Sequence, residues 1–104
     1  MKTKIVNTVI IAVTFLFFAC GESTDVVESG TYLGTIQEVE PSKTEIYVET
    51  EDNQTLELYF TDQTELTQNG NEVDFSVLQE GMRVEVEVKR EGKRLDPISV
   101  KVLE

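Results

Sequence analysis

Between Met82 and Lys89 the side chains alternate, with Val84, Val86 and Val88 on one side and Arg83, Glu85, Glu87 and Lys89 on the other. A period of two puts the valines on one face of an extended strand and the charges on the opposite face. A strand with one apolar face needs partners, and most of the chain supplies them. Short alternating runs recur from Gly30 onward, separated by turn residues every eight to twelve positions, the signature of a barrel or sandwich.

The first of these runs is Thr31 to Val39, with Gly34 expected to mark a bulge or bend and Pro41-Ser42-Lys43 a turn. Glu45 to Thr50 then places Ile46 and Val48 on one face, and Thr55 to Phe60 places Leu56, Leu58 and Phe60 on one face. Both sets fall on even numbers, so matching faces require an odd loop. The three residues Glu51-Asp52-Asn53 satisfy this, with Asn53 tolerant of a left-handed backbone. That register sets Tyr47 against Glu57 and Glu45 against Tyr59 on the outer face. The competing loop would oppose Glu49 and Glu57, two like charges.

Thr61 to Leu66 reads as a turn and short strand, closed by Gln68-Asn69-Gly70-Asn71. Asp74 to Gly81 predicts about one helical turn, with Asp74 as N-cap, Phe75 and Leu78 on one face, and Gly81 as the stop, placed to plug the barrel end. After Gly92, Arg94 to Leu103 returns as a strand with Ile98, Val100 and Val102 inward. Leu95 has the opposite parity, so an irregularity is expected at Asp96-Pro97, where Pro97 also lacks an N–H for a ladder.

Upstream, Lys2 and Lys4 precede a largely apolar run from Ile5 to Phe18, broken only by Asn7, Thr8 and Thr14. Fourteen positions fit a signal h-region and fall short of the roughly 20 residues of a membrane span. The run ends at Phe17-Phe18-Ala19-Cys20, which resembles the lipobox of bacterial lipoproteins in its looser form. The resemblance implies a signal peptide over 1–19, lipidation at Cys20 (a diacylglyceryl group with an amide-linked chain, palmitate among the acyl chains), and a cell-envelope protein held in the outer membrane. Residues 20–29, polar and acidic apart from Val26-Val27, read as the lipidated Cys and a flexible tether. Residues 30–104 are then the one domain that a chain of 104 residues accommodates.

Three local patterns carry a second resemblance: Gly34-Thr35-Ile36 followed by Val39, Thr61-Asp62-Gln63-Thr64-Glu65-Leu66, and Leu78-Gln79-Glu80-Gly81-Met82-Arg83-Val84. Together they are similar to small OB-like β-barrel domains of unknown function in exported bacterial proteins. The implied fold is all-β, a five- to six-stranded OB-like barrel with one short helical turn, and no catalytic residues carry over. OB-type barrels bind ligands on the face of strands two and three. Tyr47 and Tyr59 lie diagonally on that outer face and are the candidate ligand-binding residues, for a sugar or an envelope protein. Outward tyrosines also simply suit a strand.

The residue inventory narrows the chemistry. The chain holds 20 acidic and 9 basic residues, and Lys2 and Lys4 belong to the leader. Nucleic acid is therefore not an expected partner, because phosphate binding needs clustered Lys and Arg. There is no histidine, the single cysteine is assigned to lipid, and no serine sits in a nucleophile elbow or an S-x-x-K frame. No enzyme activity, cofactor or metal site is expected. The one alternative is a structural or weakly calcium-binding envelope protein using Glu49, Glu51, Asp52 and Asn53 at the hairpin tip, although these lack EF-hand spacing.

Overall fold

The computed structural model describes residues 24–103; the leader and Cys20 lie outside the described residues. The elements are β1 (Gly30–Glu40), a 3-10 turn (Pro41–Lys43), β2 (Glu45–Thr50), β3 (Thr55–Tyr59), β4 (Glu65–Gln68), β5 (Asn71–Glu72), a second 3-10 turn (Phe75–Val77), β6 (Arg83–Glu91) and β7 (Arg94–Val102). They form one sheet in the order β3-β2-β1-β6-β7-β4-β5. Every neighbouring pair is antiparallel except β4 with β7, where Leu66 stands opposite Val100.

That one parallel pair closes the barrel. β3 and β4 behave as a single bent strand whose first half pairs with β2 and second half with β7. The bend is held by the Phe60 N–H donating to Thr44 O (2.8 Å) and the Thr64 hydroxyl donating to Pro97 O (2.9 Å). The fold is an all-β, OB-like barrel. It has seven strands rather than five or six, because the bent strand counts twice and Asn69-Gly70, both at positive φ, turn the chain back into the two-residue β5.

Inside lie Ile36, Ile46, Val48, Leu56, Leu58, Val84, Val86, Val88 and Val100, none more than 2% exposed. Each such side chain contributes about 1.5–3 kcal/mol by leaving water. The hairpin β2–β3 has the expected register, with Tyr47 opposite Glu57, Glu45 opposite Tyr59, and Asn53 at φ 64°.

Four expectations are corrected. The bulge in β1 is at Gln37, between the pairs Ile36–Val48 and Glu38–Tyr47, and not at Gly34. Gly34 is required for another reason: a Cβ there would stand 2.5 Å from Glu49 O and 2.6 Å from Val48 Cγ1, where β1 crosses β2 most closely. The helical turn spans only Phe75–Val77, capped by the Asp74 carboxylate accepting from the Ser76 N–H (3.0 Å). Gly81 is therefore not its stop; at φ 94° it donates its N–H to Ile36 O and leads the chain into β6. Phe75 packs edge-on against Phe60 with ring centres 5.0 Å apart, and Leu78 is buried.

The irregularity near Pro97 pushes Ile98 outward, not inward. Glu87 pairs with Ser99 and Val88 with Pro97, so Ile98 is the extra residue and is 42% exposed. Finally, the end of the expected tether is docked on the barrel. Val27 is buried in the core, the Asp25 N–H donates to Thr55 O (2.7 Å), and the Arg90 N–H donates to Ser29 Oγ (2.8 Å). Of the Val26-Val27 pair, Val27 enters the core while Val26 stays exposed.

Candidate functional site

Three strands set the outer face on which Tyr47 and Tyr59 lie. The turn before β2 is sharp: Thr44 adopts φ 46°, uncommon for a β-branched residue, and its N–H returns to Pro41 O. This turn places Glu45 opposite Glu40 on one side and opposite Tyr59 on the other. The Gln37 bulge shifts β1 by one residue, so Glu38 faces Tyr47. Glu38, Glu40, Glu45 and Glu57 therefore share a face with the two tyrosines.

Hydrogen bonding within that face is uneven. Tyr59 OH donates to Glu57 Oε2 at 2.9 Å, and Tyr47 OH approaches the same oxygen at 3.4 Å. Glu45 is 1% exposed, and neither of its carboxyl oxygens has a partner among the described residues. A buried polar group without a partner is costly, and more so when charged.

The titration behaviour follows from this crowding. Burial pushes the Glu45 carboxyl up, but the polar groups of Glu57, Tyr59 and Tyr47 around it, none of them in hydrogen-bonding geometry with it, outweigh burial and hold Glu45 below the ordinary glutamate range. Glu57 moves the opposite way, raised first by the adjacent Glu45 carboxyl and then by burial. The two carboxyls thus shift in opposite directions, as interacting acids do. Tyr59 is pushed up to about 12, first by its hydrogen bond to Glu57, and Tyr47 is raised further, first by burial. Glu38 is raised by its hydrogen bond with Glu40 and by the surrounding carboxyls.

Beside this face runs an open groove of about 670 Å³, with Tyr59, Thr61 and Gln63 on one wall and Lys89, Arg94 and Ile98 on the other. Tyr59 and Ile98 are its exposed hydrophobic side chains, 45% and 42% accessible. Tyr59 thus joins the groove to the carboxyl pair, whereas Tyr47 belongs to the carboxyl pair alone. The bases of the groove are already engaged, Lys89 with Glu91 at 3.1 Å and Arg94 with Asp96 at 2.8 Å.

The acids at the hairpin tip are not drawn together. Glu49 accepts from Gln37 Nε2 at 3.0 Å, and Glu51 pairs with Arg83 at 3.5 Å. Among the described residues no group of three or more His, Cys, Asp or Glu side chains is placed to hold a metal ion.

Two features of the site were not anticipated from the residues. Glu45 looks like one more outward charge, yet between Glu40 and Tyr59 in the sheet it is buried. Its register partner Tyr59, a large side chain directly opposite, was the available signal. Ile98 was assigned inward, and the parity conflict with Leu95 was the clue that a residue had to leave the core.

No protein-family model matches the chain, and no curated protein sequence is similar to it. Among solved structures the barrel is similar to Escherichia coli CusF. The Ag(I) form superposes with a TM-score of 0.57 at 14% identity, covering 74% of this chain and 94% of that one. The apo form gives 0.55 at 14% identity, covering 80% and 99%. A Cu(II)-bound CusF variant matches equally, at 0.57 and 14%. At this identity the likeness shows the fold, an OB-like β-barrel.

Proposed function

We propose that this chain is a lipid-anchored envelope protein, attached through Cys20, whose barrel is a non-catalytic module that binds a protein or glycan through the Tyr47–Tyr59 face. The observation that carries this reading is the placement of Tyr59, exposed at the junction of a groove and a carboxyl pair. An aromatic ring with one wet face and a hydrogen-bonding tip suits stacking on a sugar or packing against a partner. The lipobox-like Ala19-Cys20 and the preceding apolar run support the anchor and an outer-membrane location.

The structural neighbours support a binding role over a catalytic one, since CusF is solved with Ag(I) and Cu(II). Those ions do not carry over. They favour sulfur and imidazole ligands, and this chain has no histidine, one cysteine at position 20, and methionines only at 1 and 82. The Glu45–Glu57 pair lies beneath tyrosines rather than across a cleft that could set two carboxylates to work on a glycoside.

In-cell crosslinking of the full-length protein, followed by envelope fractionation and mass spectrometry, tests this reading. A reproducible partner that is lost from the double variant Tyr47→Ser, Tyr59→Ser is the expected result. Retention of every association in that variant would remove the face from consideration, and a wild-type protein that stays soluble would remove the anchor.

A further inference from the structure

Glu45 has the least satisfied side chain of the acidic face. It is buried with both oxygens unpartnered, and the two hydroxyl protons able to serve it are directed to Glu57. Its remaining neighbour is the Glu57 carboxyl, and two carboxylates hydrogen-bond only when one of them keeps a proton. Glu38 and Glu40 add negative charge from β1, and Glu80 acts on Glu38 from the segment before β6. Against these stands Lys43, which lowers Glu45 from a distance and makes no ion pair among the described residues. A buried, donor-starved carboxylate at the centre of an acidic patch is the complement of a cation that carries N–H donors.

We infer that Glu45 and Glu57, framed by Tyr47 and Tyr59, form a receptor for an organic cation, an ammonium or guanidinium group such as a lysine or arginine side chain. This rests on the Tyr47–Tyr59 face being the binding face and adds the chemistry of what it binds. An ammonium brings three donors and a guanidinium five, enough to serve both Glu45 oxygens and Glu57 at once. The tyrosine rings add attraction to a cation at their faces. A calcium ion would need six to eight oxygens, and the described residues bring no third carboxylate to the same point. Access is through Tyr59, which stands opposite Glu45 in register, is 45% exposed, and is held by its hydrogen bond to Glu57. Rotation of that ring uncovers Glu45.

A proton on either carboxyl competes with the arriving cation and leaves to solvent when the cation binds. Binding therefore tightens as pH rises from acid to neutral and Glu57 ionises. The groups that face the pair and set this linkage are Glu38, Glu40, Lys43, Tyr47 and Tyr59.

Calorimetric titration of the full-length protein in detergent tests the inference. The probes are Nα-acetyl-lysine methylamide, its arginine and uncharged norleucine counterparts, a lysine-containing glycine peptide, spermidine, glucosamine and calcium chloride. The lysine and arginine probes are expected to bind and the norleucine probe not to, with roughly tenfold weaker binding in Glu45→Gln and in Glu57→Gln. Circular dichroism checks that both variants fold; the more exposed Glu57→Gln carries the test should Glu45→Gln fail to. Tighter binding of the peptide than of spermidine and glucosamine supports the site and points to a partner protein, and the reverse supports it and points to a free amine or amino sugar.

Preference for calcium over every amine, or lysine affinity unchanged in both glutamine variants, overturns the inference. Loss of envelope partners in the tyrosine double variant but not in the glutamine variants overturns the cation receptor while leaving the binding face standing. Partners retained in the tyrosine variant overturn the binding face, and the inference falls with it.

Discussion

The outer faces of the β6–β7 and β2–β3 hairpins start from the same alternating pattern and end in opposite electrostatic states. On β6–β7 unlike charges meet at the surface: Lys101 lies 3.5 Å from Glu85, and Lys89 lies 3.1 Å from Glu91, with both lysines well exposed. On β2–β3 two carboxyls and two tyrosines crowd together, with Glu45 fully covered. The first arrangement is a solubility surface, where each ion pair is worth about 0–1 kcal/mol and is screened by salt. The second concentrates like charge at low solvent access, where protonation state and any incoming cation matter far more. Alternation alone does not distinguish a solvated face from one that buries charge; charge balance and burial do.

The largest effect comes from removing the floor the acidic face is built on. Ile46→Ala, beneath Glu45 and Tyr47 in β2, is expected to cost about 2–5 kcal/mol in urea unfolding. A comparable loss in an outward residue of β6 would show that the inner and outer faces are not energetically distinct. Gly34→Ala is expected to cost about 1–3 kcal/mol, because the new Cβ meets the Glu49 carbonyl and can be relieved only by shifting backbone.

Next comes the titration of the two carboxyls. Glu57 is raised in the folded state, so its contribution to stability is fully present below the ordinary value of 4.5 and is lost as pH rises through its folded pKa. Glu45 is lowered, so its contribution is present above 4.5 and is lost as pH falls through its folded pKa. Glu57→Gln removes the first dependence and is expected to leave the variant roughly 1 kcal/mol more stable relative to wild type at neutral pH than in mild acid. Thermal unfolding across that pH range checks it, and parallel curves for the two proteins would mean that folding does not raise the Glu57 carboxyl.

Tyr59→Phe should have a smaller effect, in a defined direction. Loss of the hydroxyl that lowers Glu57 lets that carboxyl rise further, so the fall in stability extends to a higher pH than in wild type. Carboxyl NMR titration reads this directly. The smallest effect belongs to the β6–β7 surface, where Lys101→Ala is expected to change stability by about 0.2–1 kcal/mol at low salt and by less at high salt. A salt-resistant loss there would erase the contrast between the two hairpins.

Much of the barrel was legible because strand parity is a strong code. Val84, Val86 and Val88, the odd loop Glu51-Asp52-Asn53 and the opposition of Tyr47 to Glu57 all follow from matching apolar faces. The misses are places where parity breaks. Ile36 and Val39 both face the barrel although three apart, which required a bulge between them, at Gln37. Leu95 and Val100 are both buried across an odd spacing, which required one residue between them to leave the core, and that residue is Ile98. In both cases the sequence demands a defect somewhere in the strand, while neighbouring strands choose its position.

By itself, the sequence determined an all-β barrel, the register of its central hairpin and the presence of two tyrosines on one outer face. These depend on local alternation and loop parity, which few residues set and which distant contacts do not alter. Only the tertiary structure decided that Glu45 is buried and unpartnered, that Val27 enters the core and that Glu38 and Glu40 join the tyrosine face. Burial and charge environment are sums over strands far apart in the chain, so they come into being only when the sheet curls and brings those strands together.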